Sequence, residues 1–142
     1  MKVAVGSDHA GFKLKEHVRD YLKKKELVVI DYGTNSDQSV DYPDFGKKVA
    51  RAVQNGEVDR GIVICGTGIG ISMVANRYKN VRAAVCLYPK MAEMARRHNN
   101  ANILAMGGRL VAHQLALDIV DVFLNTDFDG GKHKRRIEKI ED

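Results

Sequence analysis

Gly61-Ile62-Val63-Ile64-Cys65-Gly66-Thr67-Gly68-Ile69-Gly70-Ile71-Ser72 is the stretch of sequence that decides the fold. Residues 62–64 are apolar and β-branched, which is typical of a strand buried on both faces of a parallel sheet. The glycines that follow end the strand, and they allow backbone N–H groups to turn inward and approach a ligand closely. A helix-like pattern resumes over 72–78, so the loop is predicted to lead into a helix N-terminus and to favour negative charge.

Cys65 stands at the mouth of this loop, at the carboxyl end of the predicted strand. Open α/β sheets bind their ligands at this end of their strands. A thiol next to anion-stabilising amides is a catalytic arrangement. The stretch by itself is also compatible with a glycine-rich turn that holds a buried cysteine.

Three familiar glycine-rich or thiol sites do not fit the stretch. A P-loop requires lysine where this chain has Thr67. A dinucleotide-binding fingerprint requires G-x-G-x-x-G, whereas the spacing here is Gly66-x-Gly68-x-Gly70, and the next predicted strand ends without an acidic residue for a ribose. A cysteine phosphatase requires arginine at the position of Ile71. Nucleotide binding and thiol–phosphate chemistry are therefore disfavoured.

The composition is that of an ordinary globular domain. The chain has 142 residues, 44% of them hydrophobic and 29% charged, and a domain of this size buries roughly 70% of its unfolded surface. No apolar run approaches the ~20 residues of a membrane-spanning helix and no signal peptide is recognised, so we expect a cytoplasmic protein with no membrane partner. The two cysteines lack metal-type and disulfide-type spacings, which agrees with a reducing compartment. The net charge of +5 suits an anionic partner.

Strand-like and helix-like segments alternate along the chain. The predicted strands are 3–6, 27–30, 62–64, 83–86 and 103–106. The predicted helices begin at Phe12, Pro43, Ser72, Pro89 and near Leu115, and a basic helix follows Gly130-Gly131 from about residue 132. This alternation predicts an α/β fold with a five-stranded parallel sheet, covered by helices on both faces, in a single domain over residues 1–142.

Polar residues follow the first, third and fifth predicted strands. They are Asp8-His9 after strand one, Cys65-Gly66-Thr67 after strand three and Gly108-Arg109 after strand five. Because the carboxyl ends of parallel strands meet at one edge of the sheet, we expect these three clusters to share a crevice.

Several short motifs, in their order and spacing, make the chain resemble the ribose-5-phosphate isomerase B family, which also includes isomerases of allose and galactose 6-phosphates. The motifs are Gly6-Ser7-Asp8-His9-Ala10-Gly11, Asp41-Tyr42-Pro43, Cys65-Gly66-Thr67-Gly68-Ile69-Gly70, His98-Asn99, Gly108-Arg109 and Gly130-Gly131-Lys132-His133. The resemblance covers essentially the whole chain. It implies a Rossmann-like three-layer α/β/α sandwich, a homodimer or a dimer of dimers, and a reaction that needs no metal and no other cofactor.

The reaction implied by the resemblance interconverts ribose 5-phosphate and ribulose 5-phosphate through an enediolate. A base must remove the proton beside the carbonyl, and fixed donors must stabilise the oxygen that becomes negative. The resemblance assigns the base to Cys65 and proton transfer between the two substrate oxygens to Thr67. It assigns the anion-stabilising amides to Gly66, Gly68, Ile69 and Gly70. Inward-facing amides and a helix N-terminus stabilise a thiolate, so the residue types suit these roles.

The resemblance assigns opening of the furanose ring to His98, with Asn99 beside it. It also implies that His98 reaches the active site of a neighbouring subunit, so that the dimer shares its sites and the helix from about residue 132 contributes to them. Judged from the residues alone, a solvated or helix-capping histidine fits His98 as well, because it stands at the end of a predicted helix.

Cationic residues are expected to bind the phosphate group of the sugar. By resemblance they are His9, Arg109, Lys132 and Arg136. Lys132 stands where arginine is expected, and lysine lacks the bidentate fork of a guanidinium group. Asp8 is expected to bind sugar hydroxyls, and Tyr42 either lines the pocket or packs against the protein.

Two other functions remain open from the sequence. An isomerase of a hexose 6-phosphate, such as allose or galactose 6-phosphate, needs a deeper pocket with the same base and loop. A non-catalytic sugar-phosphate-binding module needs the cations but neither Cys65 nor Thr67. No nucleic-acid partner is expected, since the basic segment 132–136 lacks interleaved aromatics and a recognised reading motif. Cys86, His17 and His113 stand outside the motifs and are predicted to be structural.

Overall fold

A five-stranded parallel sheet lies between two layers of helices in the computed structural model, which describes residues 1–141. The strands are β1 (Lys2–Ser7), β2 (Val28–Asp31), β3 (Arg60–Cys65), β4 (Ala83–Val85) and β5 (Ile103–Gly107). The helices are α1 (Phe12–Lys24), α2 (Tyr42–Gln54), α3 (Ile69–Ala75), α4 (Pro89–Asn99), α5 (His113–Asn125) and α6 (Lys132–Glu138). A short 3-10 turn, His9–Gly11, connects β1 to α1. The predicted three-layer α/β/α fold is confirmed.

The spatial order of the strands is β2-β1-β3-β5-β4, and every neighbouring pair is parallel. β3 therefore occupies the centre of the sheet, between β1 and β5. Ser7 of β1 pairs with Ile64 of β3, and Cys65 of β3 pairs with Gly107 of β5. This register brings the carboxyl ends of the three central strands to the same level of the sheet.

The side chains of β3 alternate between two apolar cores, because successive residues of a strand face opposite sides of the sheet. On one side, β3 and helices α1, α4 and α5 bury Ile62, Ile64, Leu14, Val18, Ile119 and Phe123. On the other side, β3 and helices α2 and α3 bury Val63, Cys65, Val49, Ala50 and Ile71. The continuous apolar run in β3 is explained by this two-sided burial.

The bounds of α3 differ from the predicted 72–78. Gly68 adopts a left-handed conformation (φ +81°), which glycine tolerates, and the helix begins directly after it at Ile69. The helix ends at Ala75 because the side chain of Asn76 exchanges hydrogen bonds of 2.8 and 2.9 Å with the backbone of Ala83. These bonds turn the chain toward β4.

All five strands differ by one or two residues at an end from their predicted bounds, and β1, β3 and β5 are longer than predicted. β2 starts after Leu27, whose N–H donates to the carbonyl of Leu22 across 3.2 Å and closes the end of α1. β4 ends at Val85, so Cys86 lies just beyond it. Cys86 is buried in the core, as predicted, and this burial raises the pKa of its thiol to about 11.

No helix within residues 1–141 combines the length and the apolar character needed to cross a membrane.

Candidate active site

The structure brings together the chain segments that follow β1, β3 and β5. The N–H of Gly108 donates to the carbonyl of Cys65 across 2.8 Å, and the N–H of Arg109 donates to the carbonyl of Gly66 across 3.1 Å. Glycine is required at position 108, because a Cβ there would lie 2.6 Å from the carbonyl oxygen of Ala10. The three segments predicted to line a common crevice therefore meet at the carboxyl edge of the sheet.

The thiol of Cys65 lies under the glycine-rich loop. The N–H of Gly68 donates to Sγ across 3.2 Å, and Cys65 as a whole is only 4% exposed. The Gly68 amide therefore holds Sγ against the loop, and the reactive form of a cysteine sulfur is the thiolate.

Two other loop residues are also fixed by local contacts. Oγ1 of Thr67 accepts a hydrogen bond from the N–H of Ile69 at 3.1 Å. Gly70 lies against the ring of Tyr42, since a Cβ on residue 70 would stand 2.8 Å from two ring carbons of that tyrosine. Gly70 also belongs to the first turn of α3, where backbone N–H groups have no acceptor within the helix. Tyr42 thus packs against the loop and forms part of its wall.

Asp8 and His9 flank the crevice on the β1 side. Asp8 is buried, and its Oδ1 accepts a hydrogen bond from the N–H of Gly11 at 3.1 Å, which caps the 3-10 turn. Nδ1 of His9 accepts a hydrogen bond from the N–H of Val40 at 3.1 Å. In the neutral ring this bond places the proton on Nε2, so His9 presents a donor at its other nitrogen.

Arg109, one of the predicted phosphate ligands, lies against the glycine-rich loop of its own chain. Its Nη1 would lie 3.5 Å from a Cβ built on Gly66, so the guanidinium group stands directly over the start of the loop. Arg109 is exposed and fully available to an anionic group. A guanidinium group here favours a substrate with a phosphate or another oxyanion.

The remaining predicted site residues lie at the opposite edge of the sheet. They are His98, Asn99, Lys132 and Arg136. His98 and Asn99 end α4, which leads through Asn102 into the start of β5, and the carbonyl of Asn102 accepts from the N–H of Gly61 near the start of β3 (2.9 Å). His98 and Asn99 are therefore at the amino ends of the strands, whereas Cys65 is at a carboxyl end. A single chain does not unite the two groups.

His98 has a neighbour with no predicted role in the site. Its ring stacks on the ring of His133, with centroids 4.3 Å apart and planes 10° apart. Partial burial lowers the pKa of His133, and its electrostatic interactions with His98, Lys132 and Arg136 lower that pKa further. The sequence points to His133 only through its place in the Gly130-Gly131-Lys132-His133 motif.

A buried arginine fixes the end of α4 that carries His98. The guanidinium group of Arg96 donates to the carbonyls of Thr126 (3.0 Å) and Ala101 (2.6 Å). Burial lowers the pKa of Arg96 to about 10, which still leaves it charged at neutral pH. Arg96 thus ties the end of α4 to the segment that precedes α6.

Known proteins share both the sequence and the fold of this chain. Residues 3–140 match the family described as Ribose/Galactose Isomerase. The chain is 48% identical to Ribose-5-phosphate isomerase B of Escherichia coli (strain K12) over 139 residues, which are 98% of this chain and 93% of that protein. The similarity found in the motifs therefore extends over residues 3–140.

Solved structures agree with this assignment. The fold is similar to that of Clostridium thermocellum ribose-5-phosphate isomerase B, with a TM-score of 0.99 and 58% identity over 99% of this chain and 95% of that one. Ribose-5-phosphate isomerase B from Mycoplasma genitalium with bound ribulose-5-phosphate has a TM-score of 0.94 and 45% identity over 98% and 93% of the two chains. The resemblance seen in the sequence is confirmed, and this protein belongs to the ribose/galactose isomerase family.

Proposed function

We propose that this protein is an aldose–ketose isomerase that interconverts ribose 5-phosphate and ribulose 5-phosphate, with Cys65 as the base. The observation that carries the proposal is the hydrogen bond from the N–H of Gly68 to Sγ of Cys65 at the crevice of a family member. The E. coli relative bears the name of this activity, and the M. genitalium structure has ribulose-5-phosphate bound.

The proposed reaction transfers one proton between neighbouring carbons. The thiolate of Cys65 removes the proton from C2 of the open-chain aldose, and the electron pair forms the C1–C2 double bond of an enediolate with its negative charge on O1. The hydroxyl of Thr67 then passes a proton from O2 to O1. Cys65 returns its proton to C1, which leaves the carbonyl at C2. A positioned base of this kind contributes about 10²–10⁴ in rate.

The same proposal assigns stabilisation of the enediolate to the loop amides of Gly66, Gly68, Ile69 and Gly70. The amides of Gly68 and Ile69 are bonded to Sγ of Cys65 and Oγ1 of Thr67 in the structure. These two amides therefore position the reactive side chains of the loop itself. Negative charge on the enediolate is best placed above the first turn of α3, where the N–H groups and the helix dipole point outward.

We further propose that the functional unit is a homodimer, or a dimer of dimers, with each site shared between two chains. His98, Asn99, Lys132 and Arg136 of the partner subunit would then complete the crevice that holds Cys65. In a dimer with two-fold symmetry, the amino edge of each sheet can lie against the carboxyl edge of the partner's sheet. One contact geometry therefore completes both sites.

Exposed apolar residues support this assembly. Ile69 and Met73 on α3, Leu87 and Tyr88 after β4, and Leu110 after β5 are all at least 45% exposed. Apolar side chains clustered at one edge of a sheet mark an interaction surface. At the other edge, a cavity of about 680 Å³ lined by Asn99, Arg82 and Ile140 offers a concave counterpart.

In the assembled site, the ring oxygen of the furanose would face His98 and the phosphate group would face the cations. Arg109 and His9 come from the chain that supplies Cys65, and Lys132 and Arg136 come from the partner subunit. Lys132 supplies a point charge rather than a fork, so Arg109 and Arg136 provide the bidentate contacts.

The proposal also covers an alternative class of substrate and the cellular location of the protein. An isomerase of allose or galactose 6-phosphate is the second candidate, because the family that matches residues 3–140 is described by ribose and galactose. Both cysteines are free, which agrees with a cytoplasmic location.

The test is an isomerisation assay that compares ribose 5-phosphate with allose 6-phosphate and galactose 6-phosphate in the presence of a chelator. We expect the highest kcat/KM with ribose 5-phosphate and no dependence on added metal. A higher kcat/KM with either hexose phosphate would assign the second function, and turnover of none of the three would reject both.

A further inference from the structure

One cluster of metal-ligating side chains lies at the opposite edge of the sheet from Cys65 of the same chain. It contains His98 at the end of α4, Asp129 in the segment before α6 and His133 in α6. One nitrogen of each histidine and one carboxylate oxygen of Asp129 all lie within 4.8 Å of one another. The histidines are half-buried and Asp129 is exposed, so an ion can reach the cluster from solvent.

Backbone contacts hold the three side chains in this arrangement. The N–H of Asp129 donates to the carbonyl of Arg97 across 3.0 Å, which fixes the segment before α6 to the last turn of α4. The N–H of His133 donates to the carbonyl of Gly130 across 3.1 Å, which fixes the start of α6 to the same segment. The ligand positions are thus set by the fold rather than by three independent loops.

We propose that His98, Asp129 and His133 form a binding site for a late first-row divalent cation such as Zn²⁺, with a fourth position open to water. Zinc is bound at about 2.0–2.1 Å by imidazole nitrogen and at about 2.0–2.2 Å by carboxylate oxygen, which puts the ligand atoms of a tetrahedral site about 3.3 Å apart. The three atoms therefore need to approach by no more than about 1.5 Å. Rotation of the two rings out of their parallel stack provides that movement.

The charges around the cluster permit this rearrangement. Nε of Arg97 donates to Oδ1 of Asp129 at 3.2 Å, while Nη1 of Arg97 donates to Glu93 at 3.2 Å. Arg97 keeps Glu93 as a partner when the carboxylate of Asp129 turns toward a metal. Lys132 and Arg136 on α6 repel a dication, which limits its affinity and leaves the ion exchangeable.

The donor set predicts which ions bind. Two imidazoles and one carboxylate suit zinc, copper and nickel, whereas magnesium and calcium require sites made of oxygen. One consequence rests on the proposed function: His98 held by a metal cannot act on the sugar ring, so bound zinc inhibits the isomerase reversibly.

The test is calorimetric titration of the untagged, full-length, metal-stripped protein with zinc chloride. We expect about one zinc ion per chain. His133→Gln and Asp129→Asn should each weaken binding by at least about tenfold, since the first removes an imidazole ligand and the second removes the negative charge of the carboxylate. His17→Gln is the matched control, because His17 also contacts another histidine, His113, with ring centroids 4.7 Å apart, but lies outside the cluster. Magnesium chloride should give no binding heat.

Thiolates also bind zinc, so Cys65→Ser is titrated in parallel and is expected to bind like the original protein. Loss of zinc binding in Cys65→Ser together with full binding in His133→Gln would overturn the proposal, as would no binding to the original protein.

In activity assays, zinc should inhibit the original protein, and addition of a chelator should reverse the inhibition. Zinc should inhibit His133→Gln at least about tenfold less. Zinc binding that needs His133 in a protein without isomerase activity would support the metal site and reject the proposed function.

Discussion

Gly68 donates its backbone N–H to Sγ of Cys65 across 3.2 Å, which links the end of β3 to the start of α3. This contact depends on the left-handed conformation of Gly68 (φ +81°). It depends also on the absence of a side chain, because a Cβ on residue 68 would lie 2.8 Å from the carbonyl carbon of Met106. The loop can bend back over the thiol only with glycine at this position.

Gly68→Ala should therefore lower kcat by at least about tenfold, because the loop must move away from Met106 and the amide leaves Sγ. Steady-state kinetics of the purified variant check this. Gly56→Ala is the matched control, since Gly56 also has a positive φ (+70°) but open space around its Cβ position. It should lose about 1 kcal/mol of stability and keep its activity. Equal losses of activity in both variants would show that general strain, and not the position of the amide, is responsible.

Arg136→Ala should mainly raise KM for ribose 5-phosphate, since a phosphate ligand binds the ground state and the transition state alike. The neighbouring Arg135, which is also exposed, supplies the control, and Arg135→Ala should leave KM within about twofold. Initial rates over a range of substrate concentrations separate the two parameters. A fall in kcat at unchanged KM would contradict the assignment of Arg136 to the phosphate.

Mixed dimers test whether the sites are shared between chains. Cys65→Ala and His98→Gln are each expected to be inactive as homodimers. When the two are unfolded together and refolded in equal amounts, half of the dimers carry one chain of each kind, and one of their two sites is intact. The mixture should recover about one quarter of the original activity. A mixture that stays inactive would mean that each chain supplies its own complete site.

The α/β fold and the meeting of the three site segments could be predicted from the sequence, because alternating strands and helices determine where polar residues at the end of a strand must lie. Asp8, Cys65 and Arg109 are predicted to lie together for this reason, and they stand at or just after the carboxyl ends of three adjacent strands. The start of α3 was predicted too late, since no local pattern shows that Gly68 adopts a positive φ and caps the helix.

The surroundings of His98 could not be predicted from the sequence. Its contact with His133 depends on how α6 packs against the end of α4, and therefore on Arg96 and on the bonds between Arg97 and Asp129. These contacts join residues distant along the chain, and neither hydrophobic periodicity nor a motif records them. The opposite placement of His98 and Cys65 does follow from topology, because a crossover helix returns the chain to the amino edge of the sheet.

The most direct measurement of the central claim is the turnover of Cys65→Ala, together with its affinity for ribose 5-phosphate. Cys86→Ala is the control, since burial raises the pKa of the Cys86 thiol to about 11 and keeps it protonated and inert. If Cys65 is the base, Cys65→Ala binds the sugar phosphate within about threefold of the original protein while kcat falls by at least about 10², and Cys86→Ala retains its activity. A Cys65→Ala variant that turns over within about tenfold of the original rate would contradict the account.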